Sequence, residues 1–476
     1  MARIRFGTSG WRGVIAEDVT VANVRVVTRA IAEHVQQTVP EGRGVVVGHD
    51  TRFLGERFAR VAAEVLAGAG VSVQVITEPV PTPTLAFAVL NQRARGGVNI
   101  TASHNPPEWS GLKFSAAWGG PALPEETRAI EARANGLDPG ACAVLEEADA
   151  RRRGLWEDLD PKASYLEGVL AKARPDLIQQ ARLQVAADPF YGATRGYLDE
   201  ALRRCGARVT VIRNWRDPYF GGSAPDPSEA NLGELRALVA GQPELALGLA
   251  TDGDGDRFGI LDRDGSYIEA NQVLALLLDY LVRSRGLQGG VARSVATTHL
   301  IDAVARRHGL KVYETPVGFK YLGEQIARGQ VVMAGEESCG FSMQGHVPEK
   351  DGVLACLLVA EMVAAEGQSL RALLARLYDE VGVRVTRRVD VPLPARDRER
   401  LQQRLQAPPQ AFAGLPVQEV TELDGRKFLL EGGAWLLVRP SGTEPVVRLY
   451  VEGRSPAELD RLVQAGQEWI GAAAQR

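Results

Sequence analysis

Residues 99–107 read Asn-Ile-Thr-Ala-Ser-His-Asn-Pro-Pro, and residues 252–257 read Asp-Gly-Asp-Gly-Asp-Arg. The first segment presents one serine, Ser103, on a short polar turn. Pro106 and Pro107 fix its exit, because the proline ring locks φ. The second segment places Asp252, Asp254 and Asp256 at alternate positions, which project to one side of an extended or looping chain. Three carboxylates so placed repel one another unless a cation is bound, and all-oxygen ligation suits Mg2+ or Mn2+. An EF-hand is excluded, because the sixth position is Arg257 rather than glycine and the twelfth is Arg263 rather than glutamate. Taken separately, these are a polar turn and an acidic turn. Taken together, a positioned hydroxyl and a hard-cation site are the minimum equipment for moving a phosphoryl group.

Further segments extend that chemistry. In Gly335-Glu336-Glu337-Ser338-Cys339-Gly340, a carboxylate and a hydroxyl can accept from and donate to vicinal sugar hydroxyls. The start of a helix would read the same way. In Pro348-Glu349-Lys350-Asp351-Gly352, Asp351 suits a helix cap and Lys350 an acid/base role. Lysine is rare here, with seven among 55 basic residues, so a lysine inside a motif points to an amine whose pKa can be shifted. Arg439, Ser441, Gly442 and Thr443, with Arg448 shortly after, offer hydroxyls, backbone N–H groups and guanidiniums for a phosphate cradle. A long hairpin loop is the alternative. His104 adjoins Ser103, while His49, His299 and His346 lie near other motifs. None has a paired-ligand spacing, which argues against zinc. No GxGxxG or GxxxxGK[ST] stands at a strand-to-helix turn, which disfavours dinucleotide and P-loop nucleotide binding.

The elements that must position these residues alternate. Strand-like runs at 44–48, 72–76, 96–100, 183–187, 208–212, 245–250, 291–297, 311–314 and 331–334 are separated by amphipathic stretches at 21–37, 57–69, 193–205, 270–284 and 299–309. This βα alternation predicts mostly parallel sheets covered by helices. Residues 125–159 read as a charged, helical connector, with Arg151, Arg152 and Arg153 on a solvated face. After residue 383 the pattern becomes antiparallel strands with two helices. The chain is therefore expected to form three mostly parallel α/β sandwich domains (1–152, 153–255 and 256–375) and a C-terminal α+β domain (376–476). Six polar motifs fall at strand C-termini, where ligands bind in open α/β sheets, so one cleft shared by the domains is expected.

Bulk composition narrows the class. With 476 residues, 45% apolar and 24% charged, the chain is an ordinary globular mixture too long for one core. A net charge of −4 gives no nucleic-acid or polybasic membrane footprint. Residues 353–365 are apolar but contain Glu361 and read as a buried helix rather than a span. Four separated cysteines and an N-terminus without an apolar leader lead to the expectation of reduced thiols and a cytoplasmic protein.

The ordered set Phe6–Gly13, Thr101–Pro107, Gly111–Phe114, Asp252–Arg257, Thr315–Tyr321, Gly335–Gly340, Pro348–Gly352 and Arg439–Pro445 resembles the α-D-phosphohexomutase family, that is, phosphoglucomutases and phosphomannomutases. The resemblance spans essentially the whole chain. It implies four domains around one cleft, a phosphoserine at Ser103, and one Mg2+ held by Asp252, Asp254, Asp256 and Ser103. It also implies a hexose 1,6-bisphosphate that turns around between half-reactions, with glucose 1,6-bisphosphate as activator. Glu336 and Ser338 are implied to read the sugar. Gly318 is implied to contact substrate, and the Arg439–Thr443 loop with Arg448 to bind its phosphate. Lys350 matches the family's proposed acid/base, with His104 as the runner-up, and Arg12, Lys113 and Arg257 match its cleft cations. Gly335-Glu336-Glu337-Ser338 is similar to phosphoglucomutases. Many mannose/glucose and glucosamine relatives carry a histidine where this chain has Gly340, which tilts the expectation toward glucose. A phosphomannomutase or bifunctional enzyme stays open, as does a phosphoserine-dependent sugar phosphatase. The expected partner is a hexose phosphate, with no nucleic acid or membrane, and the chain is expected to be a monomer or homodimer.

Overall fold

The computed structural model describes residues 3–39, 41–394, 397–441 and 445–471. Its strands form four sheets. In the first, Val45–His49, Val73–Val75, Gly96–Ile100 and Trp156–Asp158 run parallel, and Trp109–Ala116, Gly10–Val14 and Phe6–Gly7 add an antiparallel margin. The second has parallel Gln184–Asp188, Arg208–Val211 and Leu247–Thr251, extended by antiparallel Phe258–Asp262 and Tyr267–Ile268. The third has parallel Gly290–Ser294, Val312–Thr315 and Val331–Glu336 with antiparallel Gly340–Met343 at its edge. The fourth, from Val385–Pro392 to Val446–Gly453, is antiparallel throughout.

The central parallel strands are buried, mostly apolar runs, as sheets covered on both faces require, while the edge strands Arg208–Val211, Val312–Thr315 and Trp156–Asp158 are partly exposed. The antiparallel margins were hidden because their residues read as motifs. Trp109–Ala116 contains the Gly-Leu-Lys-Phe motif, and Gly10–Val14 contains Arg12. The expected connector at 125–159 is helical over Pro124–Ala134 and Glu147–Arg152, but it ends as a strand, Trp156–Asp158, paired with Val73–Val75. The first sheet therefore takes in residues beyond 152. Likewise Phe258–Asp262 hairpins back onto Leu247–Thr251, so a cut at 255 divides the second sheet inside the acidic loop.

Gly352–Glu366 is the apolar helix expected there, and it lies inside one core cluster formed by the second and third sheets. Glu361 is fully buried in it, and its charge is met by Arg285 at 2.6 Å, Tyr280 OH at 2.8 Å and the Arg174 N–H at 2.7 Å. Such pairing offsets the desolvation cost of a buried carboxylate. No single helix among the described residues is long and apolar enough to cross a membrane. The fourth sheet packs on the third domain through Trp435, Leu437 and Tyr450 against Val295 and Ala296.

Candidate active site

Ser103 follows the strand Gly96–Ile100 and adopts φ 54°, a left-handed conformation costly for a non-glycine residue. Its side chain is buried and donates to Asp252 Oδ2 at 2.6 Å. His104 Nδ1 stands 3.4 Å from the same hydroxyl. The acidic loop crosses beside the serine turn because residue 253 is glycine. A Cβ there would sit 2.8 Å from the Ser103 carbonyl oxygen. The loop turns back at Gly255, where φ is 74°. It closes with the Arg257 N–H donating to Asp252 Oδ1 at 3.0 Å.

Asp252, Asp254 and Asp256 are all fully buried, and one oxygen from each lies within 4.8 Å of the others. Lys113 Nζ lies 2.6 Å from both Asp254 Oδ2 and Asp256 Oδ2. Burial by itself would lower the Lys113 pKa, but these two carboxylates outweigh it and raise it, so the amine stays protonated. Thr82 Oγ1 also donates to Asp254 Oδ2, at 2.6 Å. Burial works to raise the pKa of Asp254 and of Asp256; Lys113 reverses this at both, and Lys350 adds to it at Asp256. Asp252 lacks a lysine. Burial first, then its two neighbours, push its pKa well up. Asp254 Oδ1 and Asp256 Oδ1 are buried without a hydrogen-bond partner. Orphaned buried carboxylate oxygens beside a third carboxylate fit a hard divalent cation.

The third domain completes the cluster. Lys350 Nζ is 3.1 Å from Asp256 Oδ2 and 3.8 Å from Glu336 Oε1, and Ser338 Oγ donates to Glu336 Oε1 at 2.7 Å. Next to Lys350, Asp351 caps the helix Gly352–Glu366 and accepts from Tyr165 OH at 3.0 Å, with His346 Nε2 at 2.7 Å. These contacts fix where Lys350 leaves the backbone. Gly340 leaves room for its stem, since a Cβ there would lie 2.5 Å from Lys350 Cδ. Burial, then Arg257 and Arg12, hold the His104 imidazole well below its ordinary pKa and therefore neutral. Arg12 itself donates to Asn105 Oδ1 at 2.7 Å, in the serine turn.

Ser103, His104, Lys113, the three aspartates, Glu336, Ser338 and Lys350 thus form one connected cluster. The fourth-domain residues are placed differently. Arg439 and Arg448 face each other across the strands Trp435–Pro440 and Val446–Gly453, and Ser441 is buried at the end of the first. Arg439 Nε pairs with Asp424 at 3.0 Å. Asp424 also accepts from the Val317 N–H, tying the Gly318 turn to this sheet. Both arginines act electrostatically on Tyr450, as does Glu337 of the sugar loop. Gly442 and Thr443 lie outside the described residues. Sequence reasoning missed Thr82, Arg52 and the anchoring role of Asp50. A signal for Asp50 was present, as Asp50-Thr51-Arg52 directly follows the strand Val45–His49, but none for the backbone partners of Arg52. Thr82 gave none.

Family profiles match most of the chain. Phosphoglucomutase/phosphomannomutase alpha/beta/alpha domain I matches residues 3–140, domain II 163–265, domain III 269–381 and the C-terminal domain 380–466. A Thermococcus kodakarensis phosphoglucomutase/phosphomannomutase is 28% identical, with 97% of each chain covered. A Methanothermobacter thermautotrophicus protein provisionally named phosphoglucosamine mutase is 30% identical over 94% of each. A crystal structure from Thermus thermophilus, provisionally described as a phosphomannomutase, superposes with a TM-score of 0.86 at 36% identity, covering 99% of both chains.

Proposed function

Because this chain belongs to the phosphoglucomutase/phosphomannomutase family, and is thus a phosphohexomutase, we propose that it interconverts glucose 1-phosphate and glucose 6-phosphate through a phosphoserine at Ser103. The observation that carries this reading is the meeting of Ser103 Oγ with Asp252 inside a buried triad that Lys350, itself beside Glu336, reaches from another domain. A hydroxyl, a cation site and a sugar-reading pair share one locus.

The residues divide the work as follows. Glu336 and Ser338 hydrogen-bond the sugar's hydroxyls. Arg439, Arg448 and Ser441 hold the phosphate that is not reacting. The free sugar hydroxyl attacks the phosphorus on Ser103. Its O–H proton passes to Lys350, its oxygen gains the phosphoryl group, and the bond to Ser103 Oγ breaks. The bisphosphate turns around, and the other phosphate returns to Ser103 as Lys350 gives the proton to the leaving sugar oxygen. A neutral His104 beside Ser103 is the second candidate for that proton. Asp252, Asp254 and Asp256 would hold Mg2+, which supplies Lewis-acid stabilisation of phosphoryl charge when bound. Lys113 keeps two of these carboxylates ionised. Arg12 and Arg257 add positive charge around the serine turn.

Glucose is preferred in this reading because Gly335–Ser338 has the phosphoglucomutase pattern and Gly340 adds no side chain to the sugar loop. Glucose 1,6-bisphosphate serves as activator, and the cytoplasm, where thiols stay reduced, is the fitting compartment for four free cysteines. The test is conversion of glucose 1-phosphate to glucose 6-phosphate, with and without catalytic glucose 1,6-bisphosphate, alongside mannose and glucosamine 1-phosphates. Bisphosphate-dependent turnover with the highest kcat/KM on glucose is expected. Release of inorganic phosphate alone would turn the reading to a phosphatase.

A further inference from the structure

Arg52 is fully buried, and all five of its side-chain N–H groups are used within the protein. One terminal nitrogen donates to the carbonyls of Pro106 at 2.7 Å and Trp109 at 2.9 Å. The other donates to those of Ser103 at 2.7 Å and Asn105 at 2.6 Å. Nε donates to Asp50 Oδ2 at 3.2 Å. The same Asp50 oxygen accepts from Thr101 Oγ1 at 2.6 Å, and Thr101 Oγ1 in turn accepts the Ser103 N–H at 2.9 Å. The ring closes on one residue. Ser103 is gripped at its carbonyl by Arg52 and at its N–H by Thr101, and Asp50 joins the two arms. Phe220, from the second domain, lies 5.0 Å from the guanidinium and caps it.

Ser103 needs such a grip. Its φ of 54° costs energy that only surrounding contacts can hold, and the strain aims the hydroxyl at Asp252. A small misplacement of a reacting group costs large factors in rate. Lysine could supply three donors from a point, not five in a planar fork, so charge alone does not meet the geometry.

We propose that Arg52, Asp50 and Thr101 form a clasp that positions the Ser103 backbone for phosphoryl transfer, with Arg52 as its central positioning residue. The inference rests on the phosphoserine reading of Ser103. The clasp acts on orientation and not on substrate affinity. It therefore weighs on kcat, and the KM for hexose phosphate is set elsewhere.

The experiment uses the full-length enzyme with Arg52→Lys and Thr101→Val. Both are expected to fold, by circular dichroism and thermal melting. Arg52→Lys should lower kcat by about 100-fold with KM changed little. Thr101→Val should lower it by less, again without a KM effect. Free guanidinium should raise the kcat of Arg52→Ala and leave the wild type unaffected. Amide hydrogen exchange over residues 101–109 should accelerate in Arg52→Lys, and this readout needs no activity. A wild type with a protected turn but no mutase activity would thus sink the mutase reading and leave the clasp standing. Unchanged exchange in Arg52→Lys, or wild-type kcat in both variants, overturns the proposal. So does a loss shared equally by kcat and KM.

Discussion

Ser103 and Asp252 are 149 residues apart and belong to different sheets, yet the serine hydroxyl donates to the aspartate at 2.6 Å. That contact joins the nucleophile candidate of the first domain to the acidic loop of the second. It exists because Gly253 lets the two loops touch and because the Ser103 backbone is held in a left-handed conformation. Lys113 arrives from the strand beside the serine turn and faces the other two aspartates.

The metal prediction follows from the oxygens left over. Asp254 Oδ1 and Asp256 Oδ1 are buried and unpartnered. Removing divalent ions with EDTA is expected to abolish activity, and added Mg2+ to restore it. Asp254→Asn should weaken Mg2+ binding by titration calorimetry, since one charged ligand is lost. Full turnover by metal-free enzyme would contradict the assignment.

Lys350 and His104 compete for the proton. Lys350 sits between Asp256 and Glu336, on the sugar side of the triad, whereas His104 lies beside the serine. Lys350→Met is expected to cut kcat by roughly 10²–10⁴-fold with a smaller effect on affinity. Steady-state kinetics with His104→Gln as the parallel variant decides. A far greater kcat loss in His104→Gln would exchange the two roles.

The arginine pair on the fourth sheet should serve both substrate orientations, because either end of the sugar must be held in turn. Arg448→Ala is expected to weaken glucose 1-phosphate and glucose 6-phosphate alike in direct binding measurements. A loss confined to one isomer would mean that the cradle does not act in both half-reactions.

The contact between the third and fourth domains should be sensitive to pH. Burial pushes the Glu452 carboxyl up to about 7, although it accepts from Thr298 Oγ1, the His299 N–H and Trp435 Nε1. In the folded protein it therefore keeps a proton that the unfolded chain has already lost. Its contribution is full below the unfolded value of 4.5 and is lost as pH rises through about 7. Glu452→Gln, which mimics the protonated form, should lose less Tm than the wild type between about pH 5 and about pH 8. Parallel melting curves for the two proteins would contradict this.

Much of this site was legible in the chain because buried parallel strands are apolar and uninterrupted, so polar motifs at their carboxyl ends stand out. Ser103, the aspartates and the sugar loop were found that way, and Lys350 by the rarity of lysine in the chain. What stayed hidden depends on contacts between distant segments. Thr82 reaches Asp254 across 172 positions with nothing in its Pro-rich surroundings to mark it. Arg52 binds mainly backbone carbonyls, which carry no side-chain signature. Trp156–Asp158 is too short and too charged to read as a strand, and only its pairing with Val73–Val75 makes it one. In the fourth sheet the antiparallel strands were visible as runs, but not the pairing of Arg439 with Arg448.

The most direct test is to follow the phosphoryl group itself. Enzyme incubated with labelled glucose 1,6-bisphosphate is digested and mapped by mass spectrometry, and a second portion is chased with unlabelled glucose 1-phosphate. The label is expected on the peptide containing Ser103, absent in Ser103→Ala, and passed during the chase to the hexose phosphate pool. An active enzyme carrying the label only on another residue, or a Ser103→Ala variant with wild-type turnover, would contradict the account.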